Sequence, residues 1–108
     1  MNPSTTPPLA LVTGARGGIG RELCRQLRAA GHTVAAVGRG GDALLAVDAD
    51  LHIAADTTTP EGAALAIAAC RETFGRTPTR LAHCVGSTLI APLHRTKPEQ
   101  YREVLRVN

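Results

Sequence analysis

The stretch Leu9-Ala10-Leu11-Val12-Thr13-Gly14-Ala15-Arg16-Gly17-Gly18-Ile19-Gly20 decides the fold. Four apolar residues cut off by a glycine-rich turn read as a strand buried on both faces, as strands of parallel sheets are. Beyond the turn the pattern is helical. Ile19, Leu23, Leu27 and Ala30 recur at spacings of three and four, Arg21, Glu22, Arg25 and Arg28 take the opposite face, and Gly31 stands where a left-handed stop belongs.

The same alternation continues outward. Thr33 to Val37 forms a second strand, ended by Gly38-Arg39-Gly40-Gly41, and Leu51 to Ala55 a third. Between them, Asp42 to Asp50 has room for about two helical turns through Leu44, Leu45 and Val47. A long helix opens at Thr59, with Pro60 first and Glu61 in the turn where the helix dipole favours acid, and runs through Ala63, Ile67, Cys70 and Phe74 to Gly75. Leu81 to Val85 is a fourth strand ending at Gly86. A last helix starts at Thr96-Lys97-Pro98-Glu99, in capping-box spacing, with Tyr101, Val104 and Leu105 on one packing face.

Strands alternating with helices pair in parallel through right-handed crossovers, so the expected fold is α/β, a Rossmann-type doubly wound parallel sheet of four strands in order 3-2-1-4. The Pro/Thr-rich residues 1–8 are expected to be a disordered or extended lead-in, and residues 9–108 one nucleotide-binding domain. That domain is expected to be incomplete at its C-terminus. The fourth strand would be an open edge, and the chain stops in a helical pattern without a stop signal.

Composition narrows the function classes. A chain of 108 residues, 44% hydrophobic and 2% aromatic, has room for one domain with a thin-margined core. No apolar run approaches the roughly 20 residues of a membrane span, and the N-terminus has no secretory pattern, so a cytoplasmic protein without a membrane partner is expected. Cys24, Cys70 and Cys84 are odd in number and form no Cys-x-x-Cys pair, and His32, His52, His83 and His94 are scattered. Free buried thiols and no metal site are therefore expected. The net charge of +3 is spread over dispersed arginines with only Phe74 and Tyr101 to stack on bases, which argues against a nucleic-acid partner.

In such sheets ligands bind at the carboxyl ends of the strands. The turn from Thr13 through Gly14, Arg16, Gly18 and Ile19 to Gly20 has the form of a phosphate cradle: glycines let backbone approach a pyrophosphate, and the helix start supplies unpaired amides. Arg39 ends the second strand. An acid there would bond the ribose hydroxyls of NAD, whereas a guanidinium pairs with the 2′-phosphate of NADP, so NADP is expected in preference to NAD. Gly38 leaves space for that group. Arg16 could add a second charge or be an ordinary exposed loop arginine. Asp56, with Thr57 beside it, can accept from an adenine amino group or can simply start a turn. Gly86 lets the chain pass close to a coenzyme, while His83 and Cys84 read as strand packing residues.

Taken together, these residues resemble the short-chain dehydrogenase/reductase family. Thr13-Gly14-Ala15-Arg16-Gly17-Gly18-Ile19-Gly20 is similar to its Thr-Gly-x-x-x-Gly-x-Gly coenzyme turn, Arg39 to its NADP-selecting basic residue, Asp56 to its adenine contact, and His83-Cys84-Val85-Gly86 to its Asn-Asn-Ala-Gly segment with only the glycine shared. The helix ending at Asn108 resembles the one that carries the family's catalytic asparagine, which holds a proton-relay water. Gly14, Gly17 and Gly20 also fit the spacing of the extended, epimerase-like branch.

The resemblance implies an NADP-dependent oxidoreductase that moves hydride between nicotinamide and a small-molecule carbonyl or alcohol, and that is a homo-oligomer when full length. The family's serine and Tyr-x-x-x-Lys are not here: Leu105 stands four positions after Tyr101, and Lys97 is the only lysine. These 108 residues are therefore expected to be inactive alone, as a fragment. A second reading is a non-catalytic nucleotide-binding or interaction module.

Overall fold

A computed structural model describes residues 6–86 and 89–108. Most of the lead-in and the start of the loop after Gly86 (Ser87 and Thr88) lie outside the described residues. The elements are β1 (Leu9–Thr13), α1 (Gly18–Ala29), β2 (Thr33–Gly38), α2 (Asp42–Leu45), β3 (Leu51–Ala54), α3 (Pro60–Phe74), β4 (Arg80–His83), a 3-10 turn at Leu93–Arg95, and α4 (Pro98–Val107). The four strands are parallel in the order β3-β2-β1-β4, the doubly wound arrangement expected from the sequence.

Every residue of β1 is buried, because helices cover both faces of the sheet. Alternation divides the core. Leu9, Leu11, Ala35, Val37 and Ile53 face α3, where Ala66 and Cys70 meet them. Val12, Val34 and Ala36 face the other way, against Cys24 of α1 and Leu44 and Val47 around α2. Cys24 and Cys70 thus serve as small apolar residues, and burial pushes the Cys24 thiol up to about 11.

The start of α3 is built as its sequence suggests. Thr59 Oγ1 accepts from Gly62 N at 3.0 Å and donates to the Asp56 carbonyl at 2.9 Å, Pro60 takes the first helical position, and Gly75 ends the helix in the left-handed region. Before β1, Pro8 O already accepts from Thr33 N at 2.9 Å, so the strand is anchored ahead of Leu9.

Several expectations are corrected. Ile19 is 81% exposed, because α1 starts at Gly18 and its first turn projects beyond the sheet before Leu23 and Leu27 reach it. Ala30 caps α1 and is exposed rather than continuing its apolar face. α2 has a single turn: Leu44 and Val47 dip into the core three residues apart, while Leu45 points outward.

β4 lies at 80–83 rather than 81–85. Its ladder runs from Ala10↔Arg80 to Thr13↔His83, and β1 ends there because Gly14 turns away. The cap of α4 is Lys97, not Thr96: Gln100 Oε1 accepts from Lys97 N at 2.8 Å, and Thr96 Oγ1 instead donates back to Pro92 O at 3.1 Å. Tyr101 and Leu105 are exposed, so only Val104 and Val107 of α4 are partly buried. Among the described residues β4 is bonded to β1 alone, and its Leu81 is exposed. No described helix is long and apolar enough to cross a membrane.

Candidate coenzyme site

The carboxyl ends of β1, β2, β3 and β4 open into one crevice of about 620 Å³. Its floor is the turn after β1. Gly14 has φ +64°, a conformation open to glycine, and a β-carbon there would stand 2.5 Å from the Cys84 carbonyl oxygen and 2.8 Å from Val85 N. The turn is held by Ala15 N donating to Val37 O and Gly17 N to Gly14 O, each at 3.1 Å. It delivers the chain to α1, whose first turn contains no acid that would compete for an anion. Gly20 is buried beneath, where a β-carbon would lie 2.4 Å from the Gly14 carbonyl oxygen.

β2 supplies the second wall. Arg39 lines the crevice, and the Arg16 stem crosses Gly38, lying 3.0 to 3.1 Å from where a β-carbon of residue 38 would be. The space at Gly38 is therefore filled by the Arg16 stem, and Arg16 and Arg39 both line the crevice. Among the described residues no hydrogen bond or ion pair engages the Arg16 or Arg39 side chains, in contrast to Arg25, Arg28 and Arg106.

β3 and α3 supply the third wall through Asp56, Thr57 and Thr58. Asp56 Oδ1 accepts from both Thr58 N, at 2.9 Å, and the Thr58 hydroxyl. These bonds hold its carboxyl below the ordinary aspartate range, with smaller contributions from the Arg106 and Arg39 charges. Asp56 thus shapes a turn with one oxygen, in a residue that lines the crevice. Gly62 packs against this turn so closely that a β-carbon would be 1.8 Å from the Asp56 carbonyl oxygen.

Cys84, Val85 and Gly86 make the fourth wall. Asn108 reaches the rim there, its Oδ1 being 3.0 Å from the β-carbon position of Gly86, and its Nδ2 donates to Val104 O at 2.8 Å.

Of the residues expected from the sequence, Gly14, Arg16, Arg39, Asp56, Thr57 and Gly86 line this crevice together. Thr13 and Gly20 are packed below it, and Gly18 opens onto a separate shallow groove beside Arg21 and Asp48. Ile19 points outward.

Sequence reasoning missed the contribution of α4, where Glu103, Arg106 and Val107 close the crevice. Arg106 pairs with Glu103 at 2.6 Å and donates to Thr58 Oγ1 at 3.1 Å, which ties α4 to the Asp56 turn. Their spacing marks them only as an exposed helix face, and no local signal shows where that face docks. Gly62 was also missed, although a glycine inside a helix is itself a sign of close packing. The described residues hold no cluster of His, Cys, Asp or Glu able to bind a metal ion.

Comparison with known proteins agrees with this arrangement. The family profile described as short chain dehydrogenase matches residues 8–108. A short-chain dehydrogenase from Streptomyces avermitilis superposes with a TM-score of 0.78 at 27% identity, covering 94% of this chain and 39% of the other. A short-chain type dehydrogenase/reductase from Mycobacterium ulcerans gives 0.76 at 29%, covering 94% and 41%. A 3-ketoacyl-(acyl-carrier-protein) reductase from Brucella melitensis, solved as a complex with NADH, shares the fold at 0.81 and 24% identity, covering 93% and 43%. The chain thus spans about two fifths of the length of these structures. No curated protein matches it.

Proposed function

Since this chain belongs to the short-chain dehydrogenase family, we propose that residues 9–108 form the coenzyme-binding part of an NADP-dependent oxidoreductase acting on a small-molecule carbonyl or alcohol. The observation that carries the coenzyme choice is the pair Arg16 and Arg39, two arginines that line the crevice near the end of β2 and whose side chains make no hydrogen bond or ion pair among the described residues. A ribose 2′-phosphate is the anion such a pair accommodates, and two charge-assisted contacts favour it over a hydroxyl.

The other residues fit the rest of the molecule. Gly14 and the amides opening α1 suit a pyrophosphate, in a turn whose close approach to Cys84 a β-carbon at residue 14 would prevent. Asp56 lines the crevice and has an acceptor for an adenine amino group, Thr57 lines the same wall, and Gly86 lets the backbone come close. The coenzyme, when bound, supplies hydride exchange at its nicotinamide. In this reading Asn108, beside Gly86, holds a water of the proton relay, and the general acid comes from outside these 108 residues. In this reading the full-length protein is a cytoplasmic homo-oligomer.

Competition with adenosine 2′,5′-bisphosphate tests the coenzyme reading without any reaction. The expected result is binding at least about tenfold tighter than that of ADP, which corresponds to roughly 1.4 kcal/mol. Equal binding of the two would overturn it.

A further inference from the structure

The Glu103–Arg106 pair of α4 has a third member. Glu103 accepts from Arg106 with both carboxylate oxygens, Oε1 from Nη2 at 2.6 Å and Oε2 from Nε at 2.9 Å, a two-point grip that fixes the plane of the guanidinium. The nitrogen left over, Nη1, donates to Thr58 Oγ1 at 3.1 Å. An exposed pair of this kind adds little to stability. Its consequence is direction.

A threonine hydroxyl has one proton to give. At Thr58 that proton goes to Asp56 Oδ1, so a lone pair accepts the Arg106 bond and the two contacts run in one sense, from Arg106 to Thr58 to Asp56. The Thr58 amide donates to the same Oδ1 at 2.9 Å, and among the described residues Oδ2 of Asp56 takes no hydrogen bond. Oδ1 is committed to the turn, and Oδ2 is the acceptor that remains.

We infer that Arg106 is a positioning residue that orients the Asp56 carboxylate through the Thr58 hydroxyl, and so sets how strongly the crevice prefers adenine to a base without its amino group. This rests on the coenzyme reading above, although the tie itself lies within this chain. Hypoxanthine is the base to compare. It has an oxygen where adenine has the amino group, so it offers that carboxylate no donor there, while ADP and IDP carry the same diphosphate and feel the Arg106 charge equally.

The test measures the ratio of ADP to IDP affinity by titration for the parent, Arg106→Met, Thr58→Val and Thr58→Ser. Methionine keeps the unbranched stem and removes the donors, and serine keeps the hydroxyl that valine lacks. The parent is expected to prefer ADP about tenfold, the scale of a hydrogen bond to a charged acceptor. Arg106→Met and Thr58→Val should lower the ratio to about threefold or less, with Thr58→Ser within about twofold of the parent. In a Thr58→Val background Arg106→Met should lower it no further. Exchange of the Thr58 amide without nucleotide gives a second readout, faster in Arg106→Met than in the parent.

A parental ratio in Arg106→Met would overturn the inference, as would an equal further loss in the Thr58→Val background. Should Arg106→Met fail to fold, the serine and valine variants decide alone: equal ratios in the two overturn it. A parent that binds neither nucleotide, or both equally, would remove the coenzyme reading; faster Thr58 exchange in Arg106→Met would then leave the Arg106 tie to Asp56 standing, and parental exchange would overturn that as well.

Discussion

Gly62 and the carbonyl of Asp56 are packed so tightly that a β-carbon on residue 62 would lie 1.8 Å from the oxygen. The first turn of α3 and the crevice wall formed by Asp56 therefore move as one piece. Thr59, which accepts from Gly62 N and donates to Asp56 O, holds the same corner from within. Gly62→Ala must push backbone away from backbone, a change that no rotamer can absorb. The expected cost is roughly 1–3 kcal/mol of stability, read as a lower urea midpoint, together with weaker binding of ADP. An unchanged midpoint would contradict the packing.

Gly38 is a milder case, because what it faces is the flexible stem of Arg16. Gly38→Ala should leave the urea midpoint nearly unchanged but displace Arg16 from its wall. The expected result is NADPH binding weaker by about threefold, with little effect on NADH, since only the phosphorylated ribose calls on the guanidinium. Equal losses for both coenzymes would show that Arg16 has no part in the choice.

Acid should destabilise the protein through its surface pairs. Arg25 bonds Glu22 and holds its carboxyl down to about 2, against the usual 4.5. Bonds from Thr58 and Arg106 lower Asp56 and Glu103 respectively. A carboxylate depressed on folding contributes stability above its unfolded value, and that contribution is lost as the pH falls through the folded value. For Glu22 the window runs from about 4.5 down to about 2. Because the pair is exposed, its contribution is small and should fade further at 1 M salt. Urea midpoints across this range should fall with pH, less so in Glu22→Gln; a midpoint that stays flat would contradict the assignment.

The three thiols should differ in reactivity. Burial raises both Cys24 and Cys70 above the ordinary thiol range, whereas Cys84 is half-buried and lines the crevice. A maleimide at neutral pH should label Cys84 first, NADPH should slow that labelling several-fold, and Cys24 and Cys70 should react only in urea. Mass spectrometry of peptides checks this. Early labelling of Cys24 would contradict the packing of α1 on the sheet.

The fold was legible because its signals are local. The apolar run at Leu9 to Val12, the Thr59-Pro60 helix start and the stop at Gly75 each act through neighbours in sequence, and each forms the element it suggests. What was not legible depends on contacts made across the chain. β4 is set by where β1 runs out at Thr13, so its own apolar pattern placed it too late. Tyr101 and Leu105 have the spacing of a packing face, yet nothing among the described residues covers them. In the crevice, the glycine turn and Arg39 could be recognised from position alone. The entry of Arg106 could not, because it rests on the docking of α4 beside Thr58, and neither could the His83 bond to Thr13, which needs the pairing of two distant strands.

The central claim is that Arg39, with Arg16 beside it, selects the phosphorylated coenzyme. Its most direct test is the ratio of NADPH to NADH affinity, measured by titration for the parent and for Arg39→Ala. The account predicts a ratio of about ten or more in the parent and a fall toward one in Arg39→Ala, with NADH affinity nearly unchanged. A parent that binds the two equally, or an Arg39→Ala variant that keeps the parental ratio, would contradict it.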